Sequence, residues 1–398
     1  MARLATPFSR ALRSRLARGL GVTAVLALAA CAPNVAAPPP VVQAPQPPSA
    51  VQPMAPQVQK VALLLPLTGP SAGIGQPMLD AAQLALFDVA GETFQLLPRD
   101  TKGTPQGAAE AARQALAEGA RLIVGPLFGQ EVQAVKPVAA GAGVDVVAFT
   151  TDATLAGNGT WVMGFVPLDQ VQRVTGFARS RGVTRFVALA PRSPYGDAVV
   201  GALQTAAQRF GGQVAQVERY EPALADPAVP ARQVAQAPVA PQAVMLAEGG
   251  EKLRALGAAL AANGVDPGRV KLLGTGLWDE PGLGREPALV GAWYAAPAPE
   301  QRTDFETRFE ALYGKKPPRL ATLAYDATAL AGTLARMGGV APFDRANLTN
   351  PNGFAGVDGL FRLRPNGAVE RGLAVLEITP DGARVLDPAP QTWEVLGQ

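Results

Sequence analysis

Short apolar runs alternate with segments of helical periodicity along most of this 398-residue chain. Residues 61–67 form a wholly apolar run, a Gly-rich loop follows at 68–75, and apolar residues then recur at helical spacing over 76–89. A run that is apolar throughout is typical of a parallel strand buried on both faces. The same order of run, loop and helix recurs, so the sequence predicts an α/β fold with parallel sheets. Further apolar runs lie at 121–127, 144–149, 186–190, 243–247 and 270–273.

The pattern changes near the C-terminus, where apolar and polar residues alternate at 359–364 and again at 373–378. The sequence Pro-Asn-Gly lies between these two stretches, at 365–367. An Asn-Gly turn between alternating strands is a strong local signal for a hairpin. We therefore expect a C-terminal β-hairpin.

The N-terminus has the features of an export signal over 1–30. Five arginines and no acidic residue precede an apolar run at 20–30, which ends in Leu-Ala-Ala before Cys31. This ending resembles the lipobox of bacterial lipoproteins, in which the peptide is cut before the cysteine and the thiol carries a diacylglycerol. An ordinary signal peptide with a chance cysteine is the alternative. About 11 apolar residues fall short of the ~20 that a spanning helix requires.

The residue types present restrict the chemistry of this chain. It contains no histidine, and Cys31 is its only cysteine. Ser-His and Cys-His nucleophiles, imidazole acid–base catalysis and the usual zinc sites are therefore excluded. Without the five signal arginines, the mature chain would carry 30 basic and 32 acidic residues, a balance that does not favour nucleic acid. We expect no enzymatic activity, no metal and no cofactor.

A Pro-rich linker is predicted over 31–59. Nine prolines lie between Ala32 and Gln59, and no charged residue occurs before Lys60. Such a segment favours extended polyproline II, and 28 residues could span roughly 85 Å. It is either a passive tether or a means of reaching a distant partner. The roughly 340 residues that follow are long for one core and suit two lobes.

A series of short motifs is spread over 60–385: Leu-Pro-Leu-Thr-Gly-Pro at 65–70, Gly-Pro-Leu at 125–127, Tyr-Gly at 195–196, Ala-Tyr-Asp-Ala at 324–327 and Gly-Val-Asp-Gly at 356–359. Their order and spacing resemble those of the type I periplasmic binding proteins, in particular the leucine/isoleucine/valine-binding family. The resemblance implies two lobes, each a parallel sheet flanked by helices, with a ligand held in the cleft between them. It places lobe 1 at 60–163 plus 292–338 and lobe 2 at 164–291 plus 339–398.

Parallel α/β sheets bind ligands at the carboxyl ends of their strands, where loops and helix N-termini offer backbone N–H groups. Eleven residues at such ends are therefore predicted to line the cleft. They are Thr68, Ser71, Gly125, Gln130, Thr150, Thr151, Asp152, Tyr195, Glu248, Trp278 and Asp279.

Each kind of candidate also has a purely structural interpretation. The hydroxyls at 68–71 could cradle an anion or belong to a tight strand-to-helix turn. Thr150 and Thr151 stand where the family presents hydroxyls to a ligand carboxylate, but they could equally cap the next turn. Tyr195 and Trp278 could wall the cleft or pack in the core.

The charged candidates carry the same ambiguity, and the chain departs from the family at two positions. Glu248 and Asp279 could neutralise a ligand ammonium or remain solvated. Gln130 follows Phe-Gly where the amino-acid-binding members have a serine, and Gly276 falls near the acidic residue that holds the ligand ammonium in those members. Loss of that ion pair disfavours an ordinary α-amino acid, although Asp279 could substitute.

Two functions follow from the resemblance. The first is an outer-membrane lipoprotein of the penicillin-binding protein activator branch, which touches peptidoglycan synthases. The motif at 125–130, the linker and Ala32 after the cysteine favour this interpretation, and they predict a lipid-anchored chain facing the periplasm. The alternative is a substrate-binding protein that delivers an amino acid or similar small solute to an ABC permease.

Overall fold

The computed structural model describes residues 58–89, 91 and 93–393. The predicted signal, Cys31 and the linker up to residue 57 lie outside these residues. Among the described residues, strands and helices alternate over most of the chain, and the predicted α/β class is confirmed.

The first part of the chain forms a sheet of parallel strands with helices on both faces. In chain order its elements are β1 (Gln59–Leu65), α1 (Ala72–Val89), β2 (Phe94–Asp100), α2 (Pro105–Ala117), β3 (Leu122–Val124), α3 (Gly129–Gly141), β4 (Asp145–Ala148) and β5 (Thr160–Val162). The strand order is β2-β1-β3-β4-β5. Val61 and Leu63 of β1 pack in one core and Ala62 and Leu64 in another, which explains the uninterrupted apolar run.

The second part forms a larger sheet in the order β15-β14-β10-β9-β8-β6-β7. Its elements are α4 (Pro167–Ser180), β6 (Arg185–Pro191), α5 (Pro194–Arg209), β7 (Gln213–Tyr220), α6 (Ala228–Ala235), β8 (Ala243–Leu246), α7 (Gly250–Ala262), β9 (Lys271–Gly274), β10 (Trp293–Ala296), β14 (Ala374–Thr379) and β15 (Gly382–Asp387). The strands β6 to β10 are parallel, whereas β14 and β15 add an antiparallel edge. Local sequence sets the helix starts, as where Ser193 caps α5 by accepting from the Gly196 N–H.

Between β10 and β14 the chain returns to the first sheet. These elements are α8 (Pro299–Tyr313), α9 (Ala321–Met337), α10 (Arg345–Leu348), β11 (Phe354–Gly356), β12 (Gly359–Leu363) and β13 (Val369–Arg371). Phe305 of α8 and Tyr325 of α9 share a core with Ala81 of α1. Lobe 1 below denotes the first sheet with α8 to β13, and lobe 2 denotes the second sheet with its helices.

The lobe boundaries differ from the prediction in two places. The prediction placed β10 in lobe 1, but Trp293 pairs with Leu273 of β9 and with Glu377 of β14 in the second sheet. It also placed everything after residue 339 in lobe 2, whereas Phe343 and Phe361 lie in the core of the first sheet. Both differences arise because the chain crosses between the lobes later than the sequence pattern indicated.

A hairpin forms around the Asn-Gly turn, as predicted, but its second strand is not the predicted one. β12 pairs with β13, and the turn is closed by the Arg364 N–H donating to the Ala368 carbonyl at 2.8 Å. The predicted partner, β14, pairs instead with β10 and β15 in the other lobe. The chain crosses between the lobes at Gly372, directly after β13, so the next apolar run belongs to the second sheet.

Candidate functional site

A cavity of about 680 Å³ lies between the two lobes. Lobe 2 lines it with 278–285, with Tyr294 and with the turn before β15, while lobe 1 lines it with the start of α8 and with 316–319. Two of the eleven predicted site residues, Trp278 and Asp279, belong to this lining. The cavity is within the size range of small-molecule sites, which commonly form between domains.

Asp279 bridges the lobes through two arginines. Arg302 of α8 binds it in a bidentate manner, with Nη1 to Oδ2 at 2.7 Å and Nη2 to Oδ1 at 3.0 Å. Arg319, which precedes α9, donates Nε to Oδ2 at 3.2 Å. The Asp279 side chain is only 8% exposed, so its charge is compensated inside the protein rather than by water. Burial lowers the pKa of Arg302, but the hydrogen bonds and charge of Asp279 outweigh burial and raise that pKa above its usual value.

Arg319 is held on further sides by groups of lobe 1 and of the crossing segment. Its Nη1 donates to Asp358 Oδ2 at 2.9 Å and to Thr322 Oγ1 at 2.8 Å. Its guanidinium lies 4.2 Å from the ring centroid of Phe165, which precedes α4. The orientation of Arg319 toward Asp279 is therefore fixed by several contacts.

A second cluster is formed by Arg371 and Asp326. Arg371 Nη1 is 3.9 Å from Asp326 Oδ2, and Arg371 Nη2 donates to the Met163 carbonyl at 2.9 Å. Within the described part of the chain, Arg371 Nε and Nη1 and Asp326 Oδ2 have no hydrogen-bond partner. Burial, joined by the nearby charge of Asp358, raises the pKa of Asp326 to about 7.

The predicted residues after β1 form a structural turn. Thr68 donates its N–H and its hydroxyl to the two oxygens of Asp100 at 3.2 and 2.6 Å. Burial raises the pKa of Asp100, but the hydrogen bonds from Thr68, Lys102 and Leu67 outweigh it and lower the pKa. The Ser71 carbonyl accepts from the Gly75 N–H at 3.1 Å in the first turn of α1. These contacts correspond to the structural interpretation of Thr68.

The residues after β3 and β4 meet at the start of α3. Gly125 has φ +89° and precedes a cis proline, and a Cβ there would lie 2.3 Å from the Leu64 carbonyl oxygen, so only glycine fits. Gln130 is exposed in the first turn of α3. Thr150 is 5% exposed, and its Oγ1 lies 3.5 Å from the place of a Cβ on Gly129.

The residues at 150–152 cap the turn that follows them. Thr150 Oγ1 accepts from the Asp152 N–H at 3.1 Å, and Asp152 accepts from the N–H and hydroxyl of Thr154. Thr151 lies between them and is exposed. Of the three, Thr151 is the one whose side chain faces solvent.

Three of the predicted residues of lobe 2, Tyr195, Glu248 and Trp278, are held by hydrogen bonds within that lobe. The hydroxyls of Tyr195 and Thr275 are 2.8 Å apart, and burial raises the pKa of Tyr195 to about 12. Glu248 accepts from the Tyr220 hydroxyl at 2.8 Å, and its carbonyl accepts from Trp278 Nε1 at 2.9 Å. Trp278 is 1% exposed within the core of the second sheet, so most of its ring is core.

Sequence reasoning missed the two arginines that hold Asp279. Arg302 and Glu306 stand four residues apart on α8, a spacing typical of a solvent-exposed ion pair, so the pattern pointed away from a buried role. Arg319 follows Pro-Pro at 317–318 and reads as a loop residue before a helix. No local signal indicated that both would converge on a residue from the other lobe.

Two further properties concern the described residues alone. Among them, no three histidine, cysteine or acidic side chains come together as a metal site. None of their helices has the length and apolar character needed to span a membrane.

Comparisons with known proteins agree with this architecture. A family model described as a periplasmic binding protein matches residues 58–383. An uncharacterized protein of Rickettsia prowazekii is 22% identical over 162 residues, which are 41% of this chain and 43% of that protein. The match therefore spans less than half the length of this curated relative.

Solved structures share the fold over most of this chain. A putative branched-chain amino acid ABC transporter from Rhodospirillum rubrum has a TM-score of 0.74 at 21% identity, covering 83% of this chain and 100% of that one. A leucine-binding protein from Thermotoga maritima has a TM-score of 0.62 at 21% identity, covering 83% and 99%. A solute-binding protein of an ABC transporter from R. palustris, in complex with benzoate, has a TM-score of 0.62 at 18% identity, covering 84% and 97%. Identities this low establish the fold alone.

Proposed function

The chain belongs to the periplasmic binding protein family, and from this premise we propose that it captures a small solute between its lobes and delivers it to an ABC permease. The observation that carries the proposal is the cavity of about 680 Å³ whose walls come from both lobes. The structural neighbours described as ABC transporter components favour this function over the activator interpretation.

The proposed mechanism is hinge closure. Within the described part of the chain, three segments connect the lobes, at 163–166, 297–298 and 372–373, and these few residues can absorb the rotation. A solute that touches both walls binds the closed arrangement better than the open one, and this difference in affinity drives closure. The permease would then distinguish the loaded protein from the empty one by the angle between the lobes.

The proposed location follows from the N-terminus rather than from the described residues. We propose a lipid anchor at Cys31, a chain that faces the periplasm and attachment to the outer membrane. Labelling of growing cells with an alkyne fatty acid should modify the wild-type chain and leave the Cys31→Ala variant unmodified. Equal labelling of both would contradict the anchor.

A solute screen tests the proposed function directly. A ligand present at 100 times its Kd stabilises the folded state by about 2.7 kcal/mol. For a domain of this size that corresponds to a rise of a few degrees in Tm. Thermal shift of the full chain against amino acids, carboxylates and small peptides should therefore yield at least one hit. The absence of any hit across such a library would contradict solute delivery.

Activation of a peptidoglycan synthase remains a second candidate, because the lipobox-like ending and the Pro-rich linker suit a tethered protein that reaches a distant partner. This function predicts that the full chain raises the glycan-synthesis rate of a penicillin-binding protein in a reconstituted assay. An unchanged rate of glycan synthesis at a saturating concentration of this protein would contradict the activator function. Permease genes beside the gene for this chain would favour transport instead.

A further inference from the structure

We infer that Arg371 is the positioning residue of the hinge, and that the angle between the lobes changes when its carboxylate partner, Asp326, gains or loses a proton. The inference rests on the proposed closure of the lobes and adds a means of regulating it. It follows from an incomplete ion pair beside the segments that connect the lobes.

The Arg371 side chain is tied to two of the crossing segments. Arg371 is the last residue of β13 and directly precedes the crossing at 372–373. Its Nη2 donates to the Met163 carbonyl at 2.9 Å, and its guanidinium carbon lies 5.0 Å from the ring centroid of Phe165. Both of these residues belong to the crossing segment 163–166, so a rotation there displaces the guanidinium.

Asp326, in contrast, is fixed to lobe 1. It lies within α9, and its Oδ1 accepts from the Val357 N–H at 2.7 Å. A Cβ on Gly356 would lie 2.5 Å from Asp326 Oδ2, so the backbone there packs directly against the carboxylate. Because the carboxylate cannot follow the guanidinium, movement at the hinge alters the distance between them.

The ion pair between these two side chains is incomplete. Arg371 Nη1 lies 3.9 Å from Asp326 Oδ2, whereas a charge-assisted hydrogen bond spans about 2.7–2.9 Å. The two side chains are 5% and 0% exposed, so their unpaired donors and acceptor, noted above, lack compensation from water. An approach of about 1 Å would complete the bond. The lobe angle that allows this approach is therefore favoured when Asp326 is ionised.

Further charged groups lie beside the pair and were considered as alternatives. Among the described residues they are Asp358, Arg319 and Asp169, with Glu370 beside Asp169. Burial raises the pKa of Asp358, but Arg319 and Arg371 outweigh burial and lower it, so Asp358 keeps its charge near neutral pH. Burial, joined by the charge of Glu370, raises the pKa of Asp169 to about 6. Asp169 of α4 therefore needs a variant of its own in the test.

The test measures the distance between the lobes at two pH values without solute. Spin labels on cysteines introduced at the exposed positions Gln133 and Glu251, in the full chain with Cys31→Ser, report that distance by pulsed electron paramagnetic resonance. Asp326, with its pKa of about 7, is protonated at pH 5.5 and ionised at pH 8.5. The mean distance should differ by at least about 2 Å between the two, because a small displacement at a hinge grows with distance from it.

Two variants assign the shift to the pair. Asp326→Asn should abolish it, because asparagine has no charge at either pH. Arg371→Gln should abolish it as well, because no cation remains for the carboxylate to attract. If Arg371→Gln fails to fold, Asp326→Asn alone decides the assignment.

Two further variants are controls and should keep the full shift. Asp169→Asn removes the other carboxylate that titrates in this range. Asp145→Asn removes a carboxylate that pairs with Arg345 at 3.4 Å within lobe 1. Asp145 begins β4, at the end of the sheet opposite to the crossing segment that follows β5.

The outcomes separate the inference from the proposed function. An equal distance at both pH values in the wild type, or a shift that persists in Asp326→Asn, overturns the inference. Loss of the shift in either control variant also overturns it. A solute that raises Tm without any pH-dependent distance overturns the inference alone, whereas failure of the whole solute library overturns solute delivery and leaves a measured pH shift standing.

Discussion

Two aspartate–arginine clusters lie at the junction of the lobes, and the buried aspartate is compensated differently in each. Asp279 receives three hydrogen bonds from Arg302 and Arg319 and joins lobe 2 to lobe 1. Asp326 is fully buried, yet its nearest guanidinium, Arg371, approaches only to 3.9 Å. Charge and burial are similar in the two clusters, whereas hydrogen-bond geometry is not.

The comparison indicates which carboxylate is better compensated for its lost hydration. Well-directed hydrogen bonds compensate Asp279 for its lost hydration, because each replaces a bond to water. Asp326 lacks such compensation on Oδ2, so burial dominates and raises its pKa to about 7. We therefore expect the two aspartates to respond differently to neutralisation.

The largest effect is expected for Asp279→Ala. Removal of this partner leaves Arg302, which is 11% exposed, with Glu306 alone, and Arg319, which is 24% exposed, with Asp358 alone. Breaking a buried pair by removing one partner typically costs about 3–5 kcal/mol. The free energy of unfolding in urea measures the loss. Asp304→Ala is the control, because Asp304 also pairs with an arginine but is 85% exposed, and its loss should stay below about 1 kcal/mol. Equal losses of unfolding free energy in Asp279→Ala and Asp304→Ala would contradict the distinction between a buried and an exposed ion pair.

Replacement of each aspartate by asparagine removes the negative charge but keeps the shape of the side chain, so it compares the two clusters more closely. Asp279→Asn should cost at least about 2 kcal/mol, because the charge that balances two guanidiniums disappears. Asp326→Asn should cost less than about 1 kcal/mol at pH 7, because asparagine resembles the protonated acid and can still accept from the Val357 N–H. Urea unfolding of both variants measures the difference. A larger loss for Asp326→Asn would show that the second cluster is the fully ionised one.

The pH dependence of stability follows from the raised pKa of Asp326. Between its usual value near 3.8 and about 7, the folded state keeps a proton that the unfolded state releases. The free energy of unfolding therefore falls as the pH rises through this window. The fall should be smaller in Asp326→Asn by at least about 1 kcal/mol between pH 4 and pH 8. Parallel curves for wild type and variant would contradict this assignment.

The smallest effect is expected at the strand ends of lobe 2. Tyr195→Phe removes the hydrogen bond between Tyr195 and Thr275, which should cost about 1 kcal/mol of unfolding free energy. A double-mutant cycle with Thr275→Val should assign most of that loss to the pair. Additive losses in the cycle would mean that the two hydroxyls do not stabilise each other.

The sequence was sufficient for the α/β class because its signals are local. An apolar run such as 61–67 and a capped helix such as α5 are visible in a few neighbouring residues. The crossing points were predicted less well, since the assignment of β10 and of 339–371 depends on which sheet a strand joins. That choice is decided by contacts between residues far apart in the chain.

The candidate site was likewise predicted only in part. The sequence identified Asp279 and Trp278 as strand-end residues, and both line the cavity. It could not identify their partners, because Arg302 and Arg319 approach Asp279 from 23 and 40 residues away and from the other lobe. Local spacing carries no information about a convergence of that kind.

The most direct test of the account is the distance between the lobes with and without solute. Gln133 on α3 and Glu251 on α7 are exposed and belong to different lobes, so spin labels can be attached to cysteines introduced at both. Cys31 is the only native cysteine, and Cys31→Ser removes it as a competing thiol. We predict that a solute that raises Tm also shortens the label-to-label distance measured by pulsed electron paramagnetic resonance. An unchanged distance at a saturating concentration of that solute would contradict closure of the lobes on it.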